Sequence, residues 1–146
     1  MTLNANSTTA KPAGKLYVVA TPIGNAGDIT TRAIETLAHA DVILCEEHRN
    51  GSRLLKSLGI AKPLLELNEH NEAERIQEVL LMLAQGQSLA LISDCGTPVF
   101  SDPGKKLLQL LYEMNITVTP LPGASSLMAA LSVCPYDLEE FLFIGF

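Results

Sequence analysis

Leu16-Tyr17-Val18-Val19-Ala20-Thr21-Pro22-Ile23-Gly24-Asn25-Ala26-Gly27-Asp28 sets a strand-length apolar run directly against a Gly/Pro-rich loop. Leu89-Ala90-Leu91-Ile92-Ser93-Asp94-Cys95-Gly96-Thr97-Pro98 repeats the arrangement. Each loop leads into helix-like sequence. Short apolar runs that alternate with helices read as strands of a parallel sheet covered on both faces. In such a sheet, the loops that follow the strands share one rim, where ligands bind. The two loops therefore predict an α/β fold with a small-molecule site on its rim.

The alternation continues outward. Strands are expected at residues 16–20, 42–45, 64–67, 89–92 and 116–119, with a further one at 141–146. Asp28 is expected to cap a helix running to His39, with Ile29, Ala33, Ile34 and Leu37 on its inner side. A second helix spans residues 52–58 and ends at Gly59. Asn71 and Glu74 suit a capping box for a third, whose Ile76, Val79, Leu80 and Leu83 recur at helical spacing up to Gly86. Asp102 and Pro103 are expected to open a fourth, with Leu107, Leu108, Leu111 and Met114 inward. A small-residue helix follows over 124–133. The fold class is α/β: a mostly parallel sheet of about five strands with helices on both faces. Residues 1–14 read as a flexible tail, and residues 15–146 as one domain.

Composition narrows the function classes. The 146 residues are 47% hydrophobic, lack Trp and carry a formal charge of −6. That balance excludes a generally basic nucleic-acid binder, though not a local basic patch. The three cysteines lie far apart with no zinc-type spacing, so no metal is expected, and reduced thiols fit a cytoplasmic setting. No signal-peptide core and no membrane-length apolar run occurs.

The loops carry the chemistry. Gly24 and Gly27 match neither a dinucleotide fingerprint nor a P-loop. The stretch from Ser93 to Asp102 is long for a strand–helix connection. It holds two aspartates, of which Asp94, at a strand's carboxyl end, is the better functional candidate and Asp102 the better helix cap. A third loop, Pro120 to Ser126, sets Gly123 on the same rim. Glu46-Glu47-His48-Arg49 adds carboxylates and an imidazole able to take a proton. Arg49, Arg53 and Lys56 would share one helix face and form a phosphate-contacting stripe.

Taken together, Thr21-Pro22-Ile23-Gly24-Asn25-x-Gly27-Asp28-Ile29-Thr30, Glu46-x-x-Arg49, Ser93-Asp94-x-Gly96-Thr97-Pro98-x-x-Ser101-Asp102-Pro103-Gly104 and Pro120-x-Pro122-Gly123 resemble the tetrapyrrole methylase superfamily. Within it they look like the branch that methylates small-subunit ribosomal RNA. The resemblance implies a two-domain fold, of which this chain is the amino-terminal domain and the carboxy-terminal one is absent. It also implies S-adenosylmethionine as methyl donor, a homodimer, and the ribose 2′-oxygen of a cytidine in 16S rRNA as target. Pro22, Gly24, Asp94, Cys95, Gly96, Thr97 and Gly123 would surround the donor. Asp94, Glu47 and His48 are the candidates for the base that takes the hydroxyl proton. Two alternatives stay open: methylation of a tetrapyrrole-type small molecule, and a non-catalytic dimerisation module. The first loop lacks the Gly-x-Gly-x-Gly-Asp pattern of the tetrapyrrole enzymes. Two further departures concern the branch itself: the usual Glu-Asp-Thr-Arg reads Glu46-Glu47-His48-Arg49, and the usual Ala before Gly96 is Cys95.

Overall fold

The computed structural model describes residues 14–145. Five strands form one parallel sheet: β1 (Lys15–Val19), β2 (Val42–Cys45), β3 (Leu64–Glu66), β4 (Ser88–Ile92) and β5 (Val118–Leu121). Their order is β3-β2-β4-β1-β5. Five helices accompany them: α1 (Thr31–His39), α2 (His48–Ser57), α3 (Glu72–Ala84), α4 (Lys105–Glu113) and α5 (Ser126–Ser132).

Side chains alternate across the sheet with the period of two that a strand imposes. Leu44, Leu89 and Leu91 pack with Ile76, Val79 and Leu83 of α3 and Leu107 and Leu111 of α4. Ile43, Cys45, Ala90 and Ile92 pack on the other face with Ala33 and Leu37 of α1 and Leu55 of α2. The result is three layers around an aliphatic core, as the apolar strands require.

Several boundaries differ from the sequence expectation, each for a local reason. Asp28 does not cap α1. It closes a short 3-10 turn, Ala26–Asp28, whose cap is Asn25. Thr30 caps α1 instead, accepting from the Ala33 N–H at 3.1 Å. Asn71 and Glu74 form no capping box, because the Asn71 amide is spent on Asn68 N–H (2.8 Å) and Glu66 carbonyl (3.2 Å). Asp102 and Pro103 precede α4 without capping it. The Gly104 N–H at its start donates to the buried Glu72 carboxylate at 3.2 Å.

α2 begins at His48, four residues before the expected start. Met114 is exposed rather than buried. β5 sits two residues later than expected and contains Pro120, which an edge strand tolerates. α5 is shorter than the expected 124–133. No strand forms over 141–145 among the described residues. The expected tail lies outside the described residues up to residue 13. Gly14 is buried and donates its N–H to Leu83 O at 2.8 Å.

Candidate functional site

The sheet order fixes where the site can lie. β1 and β4 are neighbours, yet the chain leaves β1 for β2 on one side and leaves β4 for β5 on the other. Their following helices pack on opposite faces of the sheet, α1 on one and α4 on the other, so the loops leading to them frame its carboxyl end, the usual ligand position of an open α/β sheet.

Backbone bonds hold the rim together. Thr21 N–H donates to Gly96 O (2.9 Å) and Gly96 N–H to Thr21 O (3.0 Å), which ties the first loop to the second. The Thr21 hydroxyl, on a residue only 2% exposed, donates to Ser93 O at 3.3 Å. Gly96 takes φ +80°, a left-handed conformation that glycine adopts without penalty. Thr97 Oγ1 donates to Ala124 O at 3.2 Å and so ties the second loop to the third. Gly123 serves packing: a Cβ there would lie 2.9 Å from Ala20 Cβ.

Two cavities flank this bridge. The first, of about 390 Å³, lies between the first loop and α2. Pro22, Gly24, Asn50, Arg53, Ser93 and Asp94 line it. The Asn50 amide donates to Asp94 Oδ2 at 2.6 Å and to Glu47 Oε2 at 2.8 Å. Asn50 was not singled out in the sequence, because its value depends on meeting Asp94 from a different strand's loop. His48 gives its backbone N–H to Glu66 (3.4 Å), and the exposed Arg49 follows it on α2. Lys56 lines a separate hollow with Ser52, Gly59 and Lys62. The expected basic stripe is thus divided, with Arg53 in the cleft and Lys56 in that other hollow.

The second cavity, of about 440 Å³, lies between the second and third loops. Cys95, Gly96, Thr97 and Asp102 line it together with Ser125, Ser126 and the ring of Phe100. Phe100 packs against Phe143 with ring centroids 4.7 Å apart and the planes tilted by 43°. The residues expected around one donor therefore divide: Pro22, Gly24 and Asp94 face the first cavity, and Cys95, Gly96 and Thr97 the second.

Negative charge concentrates on the rim. Burial pushes the Glu46 carboxyl above the usual range, and Asp102, Asp94, Glu69 and Glu47 push it further. Asp102 is raised by burial and by Asp94, against a hydrogen bond with Ser93 that lowers it. Burial, then Glu66 and Asp94, raises the Cys45 thiol to about 11, which keeps it protonated and inert. Among the described residues, no group of three or more His, Cys, Asp or Glu is placed to hold a metal ion. No helix among them is long and apolar enough to cross a membrane.

Comparison with known proteins agrees with this geometry. Residues 15–144 match the family of Tetrapyrrole (Corrin/Porphyrin) Methylases. Among curated proteins, the chain is 47% identical over 133 residues to Ribosomal RNA small subunit methyltransferase I of Synechocystis sp., covering 91% of this chain and 48% of the relative. The protein of the same name from Haemophilus influenzae is also 47% identical (91% and 47% covered), and that from Escherichia coli O157:H7 is 43% identical (91% and 46%). The chain spans about half the length of these relatives. Among solved structures, uroporphyrin III C-methyl transferase from Thermus thermophilus superposes with a TM-score of 0.63 at 21% identity, over 80% of this chain and 52% of that one. A second structure of the uroporphyrin-III-C-methyltransferase from that organism gives 0.60 at 26%, over 87% and 54%. The match through nearly the whole described region, on a sheet of this order, shows that the chain belongs to the tetrapyrrole methylase family.

Proposed function

We propose that this chain is the amino-terminal half of an S-adenosylmethionine-dependent methyltransferase that modifies the ribose 2′-oxygen of a cytidine in 16S rRNA. The observation that carries the reading is the 43–47% identity, over 133 residues, to relatives named for small-subunit ribosomal RNA methylation. The tetrapyrrole enzymes share the fold at 21–26% identity, about half that level.

The second cavity fits the donor. It combines hydroxyl-bearing Thr97, Ser125 and Ser126 with the apolar Phe100 and Leu127, a mixture suited to an adenosine and the aliphatic chain attached to its sulfur. When bound, the donor supplies a methyl group on a sulfonium. The protein's part is to align the attacking oxygen, which supplies much of the rate enhancement, and to receive its proton. Asp94 lines the adjacent first cavity and is the base in this reading. Glu47 reaches the same cluster through Asn50, and His48 stands beside it on α2.

A second α/β domain would complete the donor cleft, and two copies would form the working unit in the cytoplasm. With a chain charge of −6, much of the RNA affinity would come from that second domain or from a groove between copies. Mass spectrometry of 16S rRNA nucleosides from cells lacking the gene tests the reading. One 2′-O-methylcytidine mark should disappear and return with the gene; a mark that persists refutes it. Calorimetry of residues 1–146 with S-adenosylhomocysteine asks whether this half holds the donor product by itself, with micromolar binding expected.

A further inference from the structure

The first cavity is lined from α2 by Asn50 and Arg53, three residues apart and so on one face of the helix, and from the β4 loop by Asp94. Both hydrogens of the Asn50 amide are committed, at 2.6 Å to Asp94 and at 2.8 Å to Glu47. The side-chain atoms that this pair leaves to a ligand are then Asn50 Oδ1 and the free lone pairs of the Asp94 carboxylate, all of them acceptors. The pair takes a hydroxyl that donates, and its side chains offer no donor in return. Arg53, beside it on the helix, has a side chain that makes no ion pair or hydrogen bond among the described residues. A guanidinium in that state seeks an anion, and a phosphate suits its fork.

A ligand that presents a hydroxyl donor beside a phosphate satisfies both the acceptor pair and the guanidinium. Ribose in an RNA strand does so, with its 2′-hydroxyl next to the 3′-phosphate. Deoxyribose keeps the phosphate and lacks the hydroxyl, which is the usual basis for telling RNA from DNA. We infer that this cleft reads the sugar of an RNA strand: Asn50 fixes the Asp94 carboxylate as the acceptor of a ribose 2′-hydroxyl, and Arg53 holds the neighbouring phosphate. The inference rests on the RNA methyltransferase reading and adds to it the residues that select ribose. Asn50 is a positioning residue in this arrangement. It touches the substrate only through its oxygen and acts mainly by holding Asp94 against the repulsion of Glu47.

The test measures binding of a short single-stranded oligocytidylate, its deoxy counterpart and S-adenosylhomocysteine to residues 1–146, by calorimetry. The wild-type chain should prefer the ribose strand. Arg53→Ala should weaken both strands alike and lower the salt dependence of log K by about 0.7, the value for one phosphate contact on a single strand. Asn50→Ala should weaken the ribose strand alone, by about threefold to tenfold, as expected for one hydrogen bond. Asn50→Asp, which cannot donate to Asp94 and adds a charge that repels either strand's phosphates, should weaken both strands and the ribose strand more. Melting temperature and retained S-adenosylhomocysteine binding check that each variant is folded. Equal wild-type affinity for the two strands overturns the inference, as does an Asn50→Ala variant that weakens both equally. A chain that binds S-adenosylhomocysteine but neither strand overturns the inference and leaves the donor reading standing. A chain that binds none of the three ligands counts against both.

Discussion

Gly96→Ala tests the framework of the rim at its centre. Gly96 sits at φ +80°, where an L side chain costs about 1–2 kcal/mol. The added methyl would also lie 3.3 Å from Ile23 Cγ2, a tight contact that Ile23, at 38% exposed, relieves by giving a few tenths of an ångström. Conformation therefore dominates sterics, and the expected loss is about 1–2 kcal/mol. At about 4 °C per kcal/mol for a domain of this size, the melting temperature falls by about 4–8 °C. Gly27→Ala is the control: Gly27 lacks a positive φ, and its added methyl would meet only Asn25 Oδ1 at 3.3 Å. Its stability should change by less than about 0.5 kcal/mol. Urea denaturation of the three proteins gives the numbers. A Gly96→Ala variant as stable as the Gly27→Ala control would refute the left-handed bridge between the two loops.

Three other perturbations probe separate parts of the molecule. Glu72→Ala removes the acceptor for the Gly104 N–H from a residue only 8% exposed, so a loss of about 1–3 kcal/mol in urea unfolding is expected. Glu72→Gln keeps a side-chain oxygen there and should recover most of that loss; equal losses would remove the cap from the account. Glu46 holds its proton to higher pH in the folded chain than in the unfolded one, so its contribution to stability falls as pH rises through that window. Glu46→Gln should therefore melt above the wild type at pH 7, with the gap closing below the ordinary glutamate range; a lower melting temperature at pH 7 contradicts the burial and charge assigned to it. A thiol reagent at pH 8 should modify the exposed Cys95 rapidly and the buried Cys45 only on unfolding. Equal rates for the two would contradict the placement of Cys45 against the sheet.

What the sequence disclosed was what short-range patterning carries. β1, β2 and β4 lie within a residue of their expected bounds, because each is an apolar run closed by a loop signal. The α3 stripe of Ile76, Val79 and Leu83 is buried as its spacing requires. Long-range contacts account for most of the rest. Asn50-Gly51 reads locally as a turn, yet both lie inside α2. A Cβ on Gly51 would come 3.0 Å from Cys45 Cβ and 3.3 Å from Leu64 Cδ2, so the missing side chain is what lets the helix approach the sheet. The start of α4 depends on Glu72, distant in sequence, in place of the local Asp102. The apolar Ile116 extends the expected β5 two residues too early, but Ile116 packs on the core beside α4 while the ladder begins at Val118.

The same distinction bears on Cys95 and Glu47, two positions read from the sequence as departing from the pattern it resembles. The rim is assembled by main-chain groups: the paired bonds of Thr21 and Gly96, and the carbonyls of Ser93, Cys95, Gly96 and Ala124 that accept from neighbouring hydroxyls. Cys95 contributes its carbonyl to that framework while its side chain is exposed, so exchanging Ala for Cys changes the lining and leaves the support intact. Glu47 occupies the N-cap of α2 but makes no capping bond. Its longer side chain reaches instead to Asn50, which also holds Asp94. A shorter acid at that position would favour the cap, since a short oxygen-bearing side chain at the N-cap reaches the helix N–H groups. Glu47 thus gives up the cap to brace Asn50, whose own bond to Asp94 joins α2 to the β4 loop beside the first cavity.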